Sequence, residues 1–332
     1  MATILVTGAN GLLGSTIIRK LIDDQDFKII ALVRPKSDLS LIQSVLSKIE
    51  ISNCSLFDIV ALDDLLKKID YIIHCAAKVD FNAGNFKNLI KTNVEGTHNL
   101  VNASLTNSIK KFVHISSVAT LSKSDEHEIY DEKSKWNHSN FNSDYAISKY
   151  LSEQEVWRGI NEGLCATILN PSLILGIGNF SKTSLQMIDK IFQSQGYHPH
   201  GGNGFVDVND VAKLAIISLD ASFSGERYIV SGENLSYKNL YEKILNHPLS
   251  QFKGVIRPLP SLLNKILLGA SRSLEVIFRK SIILSYQSIR NMNSFPKYIN
   301  QKSKTDFSFD YTPIDTTINQ MLEGYFQFKR NQ

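Results

Sequence analysis

A chain of 332 residues with a formal charge of +4 and 20% charged residues has room for one large domain, or for a main domain and a smaller second part. Hydrophobic residues at 43% exclude a disordered chain, and the mild charge with no Lys/Arg block indicates no nucleic acid as partner. No run reaches the roughly 18 apolar residues of a membrane span.

In chain order, the N-terminal "MATILVTGANG" enters a strand-like run at once, with no basic n-region, so the expected location is the cytoplasm. Short apolar runs then alternate with helix-period segments. "TILVTG" leads to "GLLGSTIIRKLIDD", then to "FKIIALVR", and "LLKK" runs into "DYIIHCAA". "NFKNLIKTNVEGTHNLVNAS" leads to "KKFVHISS", and "SDYAISKYLSEQEVW" leads to "CATILNPSLILG". Continuous apolar strands separated by helices predict an α/β fold: a Rossmann-type doubly wound parallel sheet covered on both faces.

After Gly176 the texture changes, and "GYHPHGGNGFVDVNDVAKLAIISL" reads as a loop, a short strand and a helix that return to the main domain. The expected division is a nucleotide-binding domain over 1–175 with a return segment 204–235, and a smaller, mostly helical C-terminal substrate lobe from 176–203 and 236–332. The run Leu262 to Phe278, flanked by Lys265, Arg272 and Arg279, is read as packing within that lobe, with a membrane-surface helix as the other reading. Cys54, Cys75 and Cys165 show neither CxxC nor metal spacing and read as buried free thiols of a reducing compartment. His74 and His114 read as core histidines, and His198 with His200 as a loop rather than a metal pair.

"TGANGLLG", Thr7 to Gly14, follows the first strand and opens the first helix, the context a dinucleotide fingerprint requires. Gly8 turns the chain, Gly11 lets the backbone approach a pyrophosphate, and Gly14 lets helix and strand pack closely. The helix N-terminus supplies free N–H groups and a positive dipole end to the phosphates. At the end of the second strand Val33 stands where an NAD site places an acid, followed by Arg34 and Lys36. A guanidinium in place of a carboxylate favours the 2′-phosphate of NADP(H), with NAD(H) as the alternative.

The segment "SDYAISKYLSEQEVW" predicts an amphipathic helix capped by Ser143 or Asp144. On it Tyr145 and Lys149 are one turn apart and share a face, about 40° from each other. A phenol beside an ammonium should ionise well below its ordinary value of about 10, in the range useful for general acid–base work.

These segments, with "HCAAKVD", "TNVEGTHNL", "FVHISSVAT", "NPSLILGIG" and "GFVDVNDVA" in this order, resemble the extended short-chain dehydrogenase/reductase superfamily, the NAD-dependent epimerase/dehydratase family, over residues 1 to about 245. "VRPKS", "IYDEKSKW" and "YAISKYLSEQEVW" look most like the dihydroflavonol-4-reductase-like branch. The resemblance implies Tyr145 as proton donor or acceptor and Lys149 as its ammonium and as a hydrogen-bond donor to the nicotinamide ribose. It implies Ser117, with Ser116 as rival, as the substrate-binding hydroxyl. Asn93 is the expected organiser of the lysine and an ordered water, with helix packing as its other reading.

The cofactor contacts it implies are Gly8, Asn10, Gly11, Leu12, Gly14, Arg34, Lys36, Ser55, Leu56, Ala76, Ala77, Lys78, Tyr145, Lys149, Asn170 and Pro171. Ser55 stands where relatives have an Asp at the adenine, and Asn170 where sugar-active relatives often have Arg. Substrate specificity is expected in the loop Ser122 to Phe141 and in the lobe after Gly176. The expected activity is an NADP(H)-dependent carbonyl reductase or alcohol dehydrogenase acting on a small-molecule carbonyl or alcohol. A nucleotide-sugar epimerase or dehydratase with tightly retained NAD is the alternative, and a non-catalytic cofactor-binding sensor a third. A homodimer is a family-level expectation.

Overall fold

The computed structural model describes residues 1–24, 27–80, 85–121, 128–137, 142–181, 183–260 and 286–330. The Leu262 to Phe278 run and much of the Ser122 to Phe141 loop therefore lie outside the described residues. The strands used below are β1 (Ala2–Thr7), β2 (Phe27–Leu32), β3 (Glu50–Ser52), β4 (Tyr71–His74) and β5 (Lys111–Ile115). They continue as β6 (Ala166–Pro171), β7 (Leu173–Leu175), β8 (Gly202–Asp207), β9 (Glu226–Val230) and β10 (Glu233–Ser236).

Seven of them form one sheet in the order β9-β6-β5-β4-β1-β2-β3, and every neighbouring pair is parallel. This is the predicted doubly wound sheet, and its order reverses between β1 and β4, the point where such sheets open a ligand crevice.

The strands are apolar along their length because both faces are covered. Ile4 and Val6 point to one side and Leu5 to the other, all fully buried. One face packs against α1 (Leu12–Asp24) through Ile17, Ile18 and Leu21. The other packs against α2 (Ile59–Leu66), α3 (Gly96–Thr106) and α4 (Asp144–Asn161) through Leu62, Leu66, Leu100, Val101 and Val156. Each such fully buried side chain contributes roughly 1.5–3 kcal/mol relative to exposure.

The C-terminal part is more helical, with α5 (Gln186–Gln193), α6 (Val208–Ile217), α7 (Tyr237–Leu245), α8 (Tyr286–Asn293), α9 (Gln301–Asp306) and α10 (Ile314–Arg330). A small sheet in the order β10-β8-β7 joins it to the main one. Helix α6 returns to the main sheet beside α1, where Val211 and Leu214 enter the same core. Helices α5, α7 and α10 gather round a separate core of Phe180, Ile188, Leu240, Ile244, Ile318 and Met321. Among the described residues no helix is long and apolar enough to cross a membrane.

Candidate active site

The glycine turn is held by close packing. Gly8 has φ +64°, and a Cβ there would lie 2.8 Å from the Ala76 nitrogen. A Cβ on Gly14 would stand 2.3 Å from the carbonyl oxygen of Gly8, and the Gly11 amide donates to that oxygen at 2.9 Å. Asn10 Nδ2 donates to the Asp38 carbonyl (3.0 Å), tying the turn to the loop after β2. Leu12 packs into the cores beside the turn.

Thr7 Oγ1 meets His74 Nδ1 at 2.7 Å and accepts from the Ala76 amide at 3.1 Å, so the ends of β1 and β4 are locked together. The backbone of Gly8 thus faces Ala76, with Ala77 exposed and Lys78 half-buried just beyond. The closeness of Gly8 to Ala76 and of Gly14 to Gly8, at the N-terminus of α1, leaves a backbone-lined cradle that fits a dinucleotide pyrophosphate.

Helix α4 opens at Asp144 because the Ser143 side chain, in extended backbone, accepts from the Ala146 amide at 3.2 Å. Tyr145 is half-buried and hydrogen-bonds Ser117, which lies just beyond β5. The adjacent serines diverge. Ser116 Oγ donates to Glu153 Oε2 at 2.6 Å inside the protein, while Ser117 is half-buried beside Tyr145 and its Oγ accepts from the Ala119 amide at 3.1 Å. Lys149 is 2% exposed, and its Nζ donates to the Ile115 carbonyl at 2.8 Å.

Asn93 sits in a π-helical stretch, Ile90–Glu95, a form of helix common at functional sites. It exchanges hydrogen bonds with the backbone of Lys78 (2.7 and 3.0 Å) and donates to Ser148 Oγ at 2.9 Å. The residue thus joins the loop after β4 to the helix that carries Tyr145 and Lys149. Beside it, Thr97 Oγ1 donates to the Asn93 carbonyl (2.6 Å) and meets His74 Nε2 (2.9 Å) and Ser152 Oγ (3.0 Å).

The electrostatics differ from the sequence expectation. Burial pushes the Tyr145 phenol above its ordinary value, and the Ser117 hydrogen bond opposes this only in part. Burial also pushes Lys149 down to about 8, against the opposing charge of Glu153. The ammonium donates to the Ile115 carbonyl, and desolvation is the larger influence on the phenol. His74 is pushed down to about 3 and Cys75 up to about 12, both by burial, so neither changes charge at neutral pH.

A group lowered to about 8 is charged below that pH and loses its charge above it. The kcat/KM profile for substrate oxidation is therefore expected to stop rising near pH 8, and a profile still rising through pH 9 would exclude a role for the Lys149 charge.

Other residues expected at the cofactor make bonds of their own. Ser55 is exposed and caps its own turn, accepting from the Phe57 amide at 3.2 Å. Leu56 is buried, and its carbonyl accepts from Asn99 at 2.9 Å. Asn170 is fully buried and donates to the Ser117 carbonyl (3.1 Å), Thr120 Oγ1 (2.9 Å) and Glu153 Oε2 (2.8 Å), so it reaches the cleft only through Ser117. Pro171 is a buried strand residue opposite Val230. His198 and His200 bond the carbonyls of Pro199 and Leu259, both at 2.8 Å. Glu153, Thr97 and Ser148 were not singled out from the sequence, although Glu153 continues the Tyr145–Lys149 stripe by another four residues.

The model of the NAD dependent epimerase/dehydratase family matches residues 4–231. The chain belongs to that family. It is an NAD(P)-binding oxidoreductase of the extended short-chain type, which removes the non-catalytic sensor from consideration. Among relatives, "Sterol demethylase protein B" of Methylococcus capsulatus is 28% identical over 92% of both chains. The dihydroflavonol 4-reductase of Arabidopsis thaliana is 25% identical over 95% of this chain and 93% of its own. The crystal structure of gox2253 superposes with a TM-score of 0.85 at 28% identity, covering 99% of each chain. Family members thus span several chemistries, and the dihydroflavonol-reductase branch is not singled out.

The preference for NADP(H) is corrected. Solved structures of this fold, among them WbmH and WbmG of Bordetella bronchiseptica and DesIV of Streptomyces venezuelae, hold NAD, although Gre2 of Candida albicans holds NADPH. The physical reason lies at Val33, which is 4% exposed and packs into the core. That position faces inward, so the missing carboxylate there carries no information about the ribose. Arg34 and Lys36 are exposed residues of the following turn.

Proposed function

We propose that the protein oxidises a secondary alcohol of its substrate to a ketone, with NAD held at the β1–α1 turn and retained through the cycle, as in nucleotide-sugar epimerases and dehydratases. The carrying observation is the Ser117–Tyr145 hydrogen bond with Lys149 one turn further on, at the strand ends beside the glycine turn. The family model and the NAD-bound neighbours favour retention over exchange. The argument against a sugar-nucleotide site from the missing acid after β2 has also lost force, since Val33 faces the core.

In this reading Ser117 Oγ orients the substrate oxygen and Tyr145 Oη removes its proton. Lys149 supports the phenolate by charge and offers hydrogen bonds to the nicotinamide ribose. Asn93 holds the helix against the Lys78 loop. NAD, when bound, supplies the hydride acceptor and a positive ring that favours the phenolate. The substrate is assigned to the C-terminal part, whose described helices include α5, α7 and α10.

A second reading, a net dehydrogenase releasing its ketone and NADH, is favoured by the near full-length likeness to the sterol demethylase protein. Nucleotide released on denaturing freshly purified protein separates the two. About one NAD(H) per chain, with conversion of UDP- or TDP-sugars and no net NADH, supports retention. Absence of bound nucleotide, with stoichiometric NADH from a hydroxysterol, overturns it.

A further inference from the structure

Behind Ser117 lies a carboxylate that the reaction scheme has not used. Glu153 is 1% exposed and sits on the Tyr145–Lys149 stripe of α4. Its Oε2 meets Ser116 Oγ (2.6 Å), Asn170 Nδ2 (2.8 Å) and Thr120 Oγ1 (3.0 Å). Its Oε1 meets Arg227 Nη1 and Trp157 Nε1, each at 3.3 Å. A buried charge is tolerated only when fully partnered, and a buried ion pair is often no more stabilising than an apolar replacement. Placement is what this cluster contributes.

That placement converges on one residue. Ser116 precedes Ser117, and the Ser117 carbonyl accepts from Asn170 (3.1 Å), which also donates to the same carboxylate oxygen, while the single hydroxyl proton of Thr120 lies between that carbonyl (2.9 Å) and Oε2 (3.0 Å). Arg227 carries the line further, donating to the carbonyls of Glu132 and Ser134, while Glu132 Oε1 accepts from the Ile229 amide at 2.9 Å.

Resting on the reading of Ser117, Tyr145 and Lys149 given above, we infer that Glu153 is a positioning residue: it fixes the backbone on both sides of Ser117 so that the hydroxyl meets Tyr145. The groups around Lys149 are His74 on β4, Cys75 just after it, His114 on β5, and Tyr145 and Glu153 on α4. Burial keeps both histidines and the thiol neutral, and Glu153 holds the lysine up against the same effect. Without Glu153 the Ser117 hydroxyl is no longer held at Tyr145, and the phenol loses the hydrogen bond that favours its ionisation.

The test is Glu153→Gln in the full chain loaded with NAD. Tyr145 ionisation is read from the ultraviolet phenolate band as the difference between each protein and its Tyr145→Phe counterpart. Tyr145 is expected to ionise at higher pH in the Gln variant, and kcat to fall about tenfold or more while KM and NAD affinity stay within about threefold. Glu153→Asp, which keeps the charge, should restore part of the titration.

An unmoved Tyr145 titration overturns the inference, as does a loss of NAD affinity in step with kcat, which marks general structural damage. If the Gln variant fails to fold, Ser116→Ala removes one donor from Oε2 and keeps the charge. A severalfold lower kcat at parental NAD affinity then supports the role, and an unchanged kcat refutes it. The titration needs no substrate, so a parent protein inactive on every alcohol tried would reject the reaction reading while the Glu153 result still stands or falls.

Discussion

Replacing Tyr145 by Phe is expected to lower kcat by about 10²–10⁴-fold, the range that a positioned proton-transfer group contributes, with NAD affinity unchanged. The aromatic ring remains in the variant and keeps its half-buried packing beside Ser117, so only the hydroxyl is lost. The protein's own groups hold the phenol above its ordinary value, so the unassisted residue is a poor base at neutral pH. The rate then depends on whatever brings the phenol down, namely the Lys149 charge and the positive ring of bound NAD. Isothermal titration of NAD and initial rates on the two proteins check both halves. Equal turnover would remove Tyr145 from the mechanism, and equal loss of NAD affinity would make it a binding residue instead.

The second large effect belongs to the glycine turn. Gly14→Val should abolish measurable NAD binding and lower Tm, because a Cβ at that position lies 2.3 Å from the Gly8 carbonyl oxygen, a backbone atom that cannot step aside alone. Overpacking of this kind costs about 1–3 kcal/mol or more. Gly11→Ala is the control: its Cβ would meet the same oxygen at 3.2 Å, which a small shift accommodates. Differential scanning calorimetry and NAD titration should rank the parent, Gly11→Ala and Gly14→Val in that order. A Gly14→Val protein with parental affinity would mean that the turn is not where the nucleotide sits.

The sheet, the glycine turn and the Tyr145 helix were legible in the sequence because each is written in local periodicity. Ile4, Leu5 and Val6 are continuous because the strand is covered twice, and Ser143 caps α4 through a bond three residues long. What failed depends on tertiary surroundings. Val33 looked like a ribose position vacated by an acid, yet its direction is set by α1 packing on the sheet. The phenol looked depressed by its lysine neighbour, but burial comes from elements distant in sequence and reverses the sign. Glu153 carries no local mark of its place, since its partners arrive from β6, β9 and the segment just after β5.

The hydrogen bonds around His74 settle the ring's tautomer. A carbonyl can only accept, so the single Thr97 hydroxyl proton goes to the Asn93 carbonyl, and Thr97 Oγ1 must accept from the imidazole Nε2. With the ring neutral, Nδ1 is then bare and takes the proton of Thr7. Polarity therefore runs one way through the core, from the end of β1 through the imidazole to the helix carrying Asn93. A ring locked in one tautomer cannot shuttle protons, so this histidine, although two residues before the Ala76 that meets the glycine turn, works as a directional strut between strand and helix and not as a relay.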